Sequence, residues 1–373
     1  MNRDSVMSFL SSVVVLIIGL LIGFVILILG NASGSVRAFT TILTHGASGM
    51  RVFGNVLLHA TPIILTGLSV AFAFKTGLFN IGATGQFTMG AFTAVYISIE
   101  LTVLPPGLRM IVAIVAATIV GALWGAIPGL LKAYRNVHEV IACIMTNYIA
   151  MFFVNFMVLR YTFDPFQGRS HPAPVESRLP SLGFENIFRT GVRSSNIDVG
   201  IVIAILVAIL IYFILEKTTF GYELKACGFN KDAAKYAGIN QNRNIVFSMM
   251  ICGGLAGVGG ALAYIGGMGV TLNIIDVMLP YGFTGISVAF LGLNNPIGII
   301  FSGILISYLS MGGTQIQPFG FSPEFVDVVI AVIIYFCAFV FLVKTFLGTF
   351  SLKVEALFSN VMARIFKRNG KEV

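Results

Sequence analysis

The chain has 373 residues, is 57% hydrophobic and only 10% charged, and carries a formal net charge of +8. A soluble chain of this length carries charge on roughly a quarter of its residues, so the composition excludes an ordinary soluble fold. Apolar runs recur along the whole length, each long enough to cross roughly 30 Å of hydrocarbon, and this predicts an all-α polytopic membrane protein.

In chain order the runs predict about ten spans: 8–30, 55–74, 80–99, 110–131, 139–159, 199–215, 244–266, 278–293, 296–311 and 326–347. The first run is longer than the apolar part of a secretory leader and further spans follow it, so it reads as a retained helix. Alternate connections fall on opposite sides. All ten lysines, from Lys75 to Lys371, lie on one side with Arg3, Arg135, Arg243, Arg364 and Arg368. The other side has eight arginines: Arg37, Arg51, Arg109, Arg160, Arg169, Arg178, Arg189 and Arg193. Positive-inside asymmetry places both termini in the cytosol and makes the chain a multi-pass protein of the cell membrane. The positive charge is thereby a matter of topology, and nucleic acid is not an expected partner. Residues 1–348 read as one transmembrane domain. Residues 349–373 read as a basic amphipathic tail that lies on anionic lipid.

Cys143, Cys227, Cys252 and Cys337 are widely separated, and neither they nor the four histidines show metal-ligand spacing. No phosphate loop of the form G-x-x-x-x-G-K-[ST] occurs, no ionisable group falls near the middle of a span, and no nucleophile–base pair can be named. The chain therefore reads as a non-enzyme with no catalytic, cofactor or metal residues of its own. A secondary transporter, which keeps a coupling-ion site at depth, is the less favoured class.

Small residues recur at four-residue spacing at Gly121, Gly125 and Gly129, and again at Gly253, Gly257 and Ala261. Such faces let helices approach closely, and packing within one bundle is favoured over a dimer interface. The tetrapeptide Gly82-Ala-Thr84-Gly85 returns as Gly282-Phe-Thr284-Gly285, in spans assigned opposite directions, which is the pattern of an inverted repeat. Around these copies the spans carry neutral polarity and aromatics. Phe74, Asn80, Thr84, Gln86, Phe87 and Thr88 stand in the first segment; Tyr281, Phe283, Thr284, Ser287, Phe290 and Asn294 stand in the second. Asn147 and Asn155 lie in the fifth span. This lining suits a neutral, hydroxyl-bearing solute; the competing reading is interhelical glue.

Residues 221–240, GYELKACGFNKDAAKYAGIN, form a charged, helix-prone island between spans, on the lysine-bearing side. Asn230 is a good N-cap, Lys231–Tyr236 a short helix and Gly238 its stop, with Ala233 and Ala234 leaving a shallow face that another protein can approach. The other long connection, 160–198, has four prolines and a charge-rich composition, and reads equally as a docking rim or a solvated lid.

Residues 77–86, GLFNIGATGQ, are similar to the G-L-x-N-I-G-x-x-G-Q signature of permease subunits of ABC importers in the simple-sugar, branched-chain amino acid and nucleoside branch. The likeness is greatest to the nucleoside-type (BMP-lipoprotein-dependent) members. Residues 281–296 resemble their second signature, and the island matches G-x-x-x-x-A-x-G-x-N-x-x-A-A-x-Y-x-G-I. The resemblance, which runs from about Asn55 to Leu347, implies the ten-helix type II importer fold. It implies coupling to a separate ATPase through Gly228, Asn230, Ala233, Ala234, Tyr236 and Gly238. ATP and magnesium would be bound by that partner, not by this chain. The other implied partners are a second permease chain, identical or related, and an extracellular substrate-binding protein that delivers a nucleoside. Import of a simple sugar or a branched-chain amino acid is the alternative. Thr84 stands where many members have an acidic residue.

Overall fold

The computed structural model describes residues 3–345, apart from 268, 323–327, 330, 333, 334, 337, 338 and 341. The expected span 326–347 falls partly outside that description, and the tail 349–373 wholly outside it. Among the described residues seven helices are long and apolar enough to cross a membrane.

α1 (Arg3–Gly30) is followed at once by α2 (Ala32–Thr44), a second helix where the sequence reading has only a connection. Asn31 makes the corner. Its Oδ1 accepts from Gly34 N and its Nδ2 donates to Phe319 O at 3.2 Å. α2 escapes a search for spans because it has only 13 residues; Ala38 and Ile42 bury against Leu27, Leu309 and Ile316.

α3 (Met50–Lys75) lies at the centre of the bundle, buried on all sides over its second half. α4 (Ala83–Glu100), α5 (Pro106–Arg135) and α6 (Glu139–Met157) follow, the last ending in a π-turn at Val158–Thr162. The 160–198 connection holds two short ribbons, β1 (Phe163–Asp164) with β2 (Arg169–Ser170) and β3 (Arg189–Thr190) with β4 (Arg193–Ser194), flanking the single turn α7 (Phe184–Ile187). Then come α8 (Gly200–Lys217), α9 (Thr219–Phe229), α10 (Lys231–Tyr236), α11 (Gln241–Tyr264), α12 (Tyr281–Leu291) and α13 (Pro296–Gly313).

The two small-residue ladders face each other within one bundle, as their spacing suggests. A Cβ placed on Gly121 would collide with the Gly253 carbonyl, one on Gly253 with the Gly121 carbonyl, and one on Gly257 with the Ala117 carbonyl. α5 and α11 therefore touch through their backbones. In a membrane no hydrophobic gain separates lipid from protein, so this dense van der Waals contact is what holds the two helices together.

Two spans differ from their expected form. The helix expected over 80–99 begins at Ala83, because residues 76–82 form a turn with Gly77 at φ +70°. The run 278–293 yields a helix of only 11 residues, opened by Pro280 and closed where Leu293 and Asn294 take φ of 56° and 53°. At 1.5 Å per residue α12 is about 16 Å long, half the thickness of the hydrocarbon layer.

Gly121→Val should destabilise the chain by roughly 1–3 kcal/mol through overpacking. The check is thermal unfolding in detergent against Gly107→Ala, whose added methyl meets nothing within 4 Å and should be neutral.

Candidate functional site

The turn after α3 folds back beside the helix it leaves. Gly77 N donates to Phe74 O and Leu78 N to Ala73 O, which closes the end of α3. Asn80 then lies level with Ser69 and donates through Nδ2 to Ser69 Oγ at 3.0 Å and to Gln86 Oε1 at 2.8 Å. Gln86 Nε2 donates back to Asn80 Oδ1 at 3.2 Å, and Ser69 Oγ donates to Cys252 O at 2.7 Å. Asn80 and Gln86 are fully buried and spend their amides on each other and on Ser69. Asn147 of α6 holds the first turn of α4, accepting from Gly85 N at 2.8 Å and donating to Ile81 O at 3.0 Å. Buried amides bonded in this way rigidify what they join.

The turn delivers the start of α4 to the start of α12. Gly282 lies against Thr84 so closely that a Cβ on Gly282 would overlap the Thr84 amide and hydroxyl, and a Cβ on Gly285 would crowd Thr66 of α3. Two helix N-termini thus meet at residues 84 and 282. Phe87 is fully buried and stacks on Tyr281, ring centroids 4.8 Å apart, with Tyr264 edge-on at 6.4 Å. Beside this junction a small cleft of ≈ 50 Å³ lies between α4, α6 and the 265–280 connection; Thr84, Thr88, Asn147, Asn155, Tyr264 and Asn273 are among its walls. The Thr84 hydroxyl is buried against Gly282 without a hydrogen-bond partner among the described residues.

Other expected lining residues lie away from the cleft. Phe74 joins Phe79 and Phe290, at 5.0 and 4.8 Å, in a ring cluster toward the end of α12. Phe283 is exposed, Thr284 donates to Pro280 O at 3.1 Å, and Ser287 and Asn294 are buried, the latter with its Oδ1 unpartnered among the described residues. Tyr264, Asn273 and Met278 were missed by sequence reasoning. They follow the α11 ladder in an irregular stretch with no period to mark them.

The charged island folds into α9 and α10. Asn230 Oδ1 accepts from Asp232 N at 3.0 Å and Ala233 N at 3.1 Å, and Gly238 closes α10 at φ +80°. Ala234 is buried and Ala233 exposed; Tyr236 is 95% exposed, with Phe229 at 92% and Tyr222 at 70%. Tyr222 and Phe229 were legible only as helix residues. Gly228 meets Gly77, backbone on backbone, at a spacing no Cβ could enter on either side. The island therefore abuts the turn that carries Asn80 and leads into α4.

At the opposite end, Asp198 joins the long connection to the segment after α11. Its carboxylate accepts from Gly200 N at 2.8 Å and from Gly267 N at 2.9 Å, and burial raises its pKa.

Long apolar helices packed through glycine, with a half-length helix meeting a re-entrant turn beside a neutral cleft, define a polytopic membrane permease. The chain belongs to the branched-chain amino acid transport system / permease component family, which it matches over residues 52–338. It is 36% identical to the guanosine ABC transporter permease protein NupP of Bacillus subtilis, over 88% of this chain and 96% of that protein. It is 35% identical to the nucleoside ABC transporter permease protein NupB of Lactococcus lactis, over 90% and 92%. Identity to the glucose ABC transporter permease protein TsgB13 of Haloferax volcanii is 30%, over 76% and 74%. No solved structure matches.

Asn80→Ala leaves Gln86 and Ser69 without their shared amide and should cost about 1–3 kcal/mol. A lowered melting temperature in detergent, partly recovered in Asn80→Ala/Gln86→Leu, is the expected readout.

Proposed function

We propose that this chain is the pore-forming subunit of an ATP-driven ABC importer for nucleosides. The observation that carries the reading is the alignment, over nearly their whole length, with permeases named for guanosine and nucleosides. A cleft walled without carboxylate, ammonium or guanidinium groups supports a neutral solute. The glucose permease among the relatives keeps a simple sugar as the second reading, and the family description a branched-chain amino acid as the third.

In this reading the type II fold has ten spans, residues 1–348 form one membrane domain, and both termini and the basic tail lie in the cytosol. The inverted repeat places Gly82-Ala-Thr84-Gly85 and Gly282-Phe-Thr284-Gly285 as counterparts, and the contact of Thr84 with Gly282 supports that pairing. A separate ATPase binds ATP and magnesium and grips α9 and α10 at Gly228, Asn230, Ala233, Ala234, Tyr236 and Gly238. Closure of the ATPase moves this segment, and the Gly77–Gly228 contact passes the motion to the 76–82 turn and so to the start of α4. The solute, delivered by an extracellular binding protein, crosses past Thr84, Phe87 and Tyr281, with Phe74, Phe283, Thr284, Ser287 and Asn294 toward the cytosol. Asn80 and Gln86 set the shape of this path. A second permease chain completes the pore.

Deleting the gene should abolish uptake of labelled guanosine, and in cells that carry it unlabelled uridine should compete where ribose and leucine do not. Competition by ribose or leucine instead would move the substrate to that class. Ala233→Arg should reduce uptake to background at unchanged membrane abundance, since a long charged side chain on the exposed face of α10 blocks close docking. Normal uptake in that variant would remove α10 from the coupling role.

A further inference from the structure

The segment that leads from α11 into α12 takes its shape from outside itself. Among the described residues no backbone hydrogen bond joins two members of 270–279. Backbone groups without local partners have to bond elsewhere. Here Leu272 O accepts from Ser170 N at 2.9 Å, Leu272 N donates to Ser170 Oγ at 2.8 Å, and Arg169 and Asn273 form an antiparallel bridge. Ile275 O accepts from Asn155 Nδ2 at 3.0 Å. The chain entering α12 is thus paired with β2 of the 160–198 connection.

That connection is also fastened to the end of α11. Leu179 N donates to Ile265 O at 2.9 Å, and the Arg178 guanidinium lies so close over Gly269 that a Cβ there would overlap it. Asp198 Oδ2 accepts from Gly267 N and its Oδ1 from Gly200 N. The residue is 2% exposed and has no ion-pair partner among the described residues, so these N–H groups are what meets its charge. Ala173, Leu179, Ile197 and Leu272 seat both segments in the main apolar core. Close-packed interiors compress little and pass displacement on. The later part of the connection is held on the start of α3, where Asn55 Oδ1 accepts from Asn196 N and Arg51 Nε donates to Ser194 O, each at 3.1 Å.

We propose that the 160–198 connection and residues 265–279 move as one body in the transport cycle, with Ser170 and Asp198 as the positioning residues that fasten them. A displacement of the outer connection is then a displacement of the start of α12, where Gly282 meets Thr84. The inference rests on the importer reading above. It adds a second route to the α4–α12 junction, from the side opposite the Gly77–Gly228 contact.

The test fastens the two segments covalently. Paired residues on antiparallel strands have Cα atoms about 4.5–5.5 Å apart, within reach of a disulfide. Arg169 and Asn273 are such a pair and both are exposed. Arg169→Cys/Asn273→Cys is expressed in cells that lack the native gene and keep the partner subunits. Guanosine uptake is compared between the oxidised and reduced forms of that one variant, which cancels the effect of the substitutions themselves. Peptide mapping by mass spectrometry reads the disulfide, and the parent, with Cys143, Cys227 and Cys252 buried, is treated alongside. The disulfide should form and leave uptake at the level of the reduced form. Ser170→Ala in the same background removes the acceptor of Leu272 N and should lower uptake several-fold in the reduced form at unchanged membrane abundance. Oxidation should restore it, a rescue that a general need for Ser170 in folding would not give. If Ser170→Ala reaches the membrane in reduced amount, Asp198→Asn takes its place, since it sets an amide donor against the N–H of Gly200 or Gly267.

Uptake that stops on oxidation and returns on reduction overturns the proposal, because the segments then have to part. A pair that never forms the disulfide overturns the fastening. A defect that oxidation leaves unrepaired, or no defect at all, overturns the role of the positioning residue. Guanosine uptake by the parent that does not depend on the gene overturns the nucleoside reading alone, and the same comparison then runs with labelled ribose or leucine.

Discussion

Backbone-to-backbone contact at glycine is the constraint from which the rest of this structure follows. Gly121 against Gly253 fixes α5 on α11, Gly77 against Gly228 fixes the polar island on the re-entrant turn, and Gly282 against Thr84 fixes the half-length helix on α4. Water would reward burial of large apolar side chains, but lipid rewards it far less, and dense packing has to supply the cohesion. Each of these contacts has room for a hydrogen and no more. They also lie in series: island, turn, helix start, cleft.

Polarity within the bundle is divided between two uses. Asn80, Gln86, Ser69 and Asn147 are paired with one another or with backbone, and they hold the 76–82 turn and the first turn of α4 in place. The Thr84 hydroxyl, one turn away, is buried against Gly282 and unpaired among the described residues. The paired set costs little and confers rigidity, while the unpaired hydroxyl carries a desolvation penalty.

The sequence was most legible where structure is made locally. Asn230 and Gly238 bound α10 because an N-cap and a left-handed stop are chosen by neighbouring residues alone. The glycine ladders declared themselves by period, and the signature glycines by their spacing. What could not be read depended on distant partners. The run 278–293 looks like a span by hydropathy, yet Pro280 and the strained pair Leu293 and Asn294 limit it to 11 residues. That Asn80 and Gln86 pair with each other and with Ser69 was not legible either, because composition cannot tell an amide facing a cavity from one facing another amide. α2 went unseen since its apolar stripe is short and its burial depends on α1 and α13.

The brevity of α12 bears on how the chain is made. A helix of about 16 Å with open N–H groups at its start does not partition into a bilayer unaided. It has to enter in company with α13, after α3 and α4 have formed the surface that receives it. Its partner at Thr84 was synthesised some two hundred residues earlier, so the cleft closes late in biogenesis, when most of the spans are already in the membrane. Lesions in the last third of the chain can then yield a subunit that inserts, survives and reaches its place, yet never completes the passage.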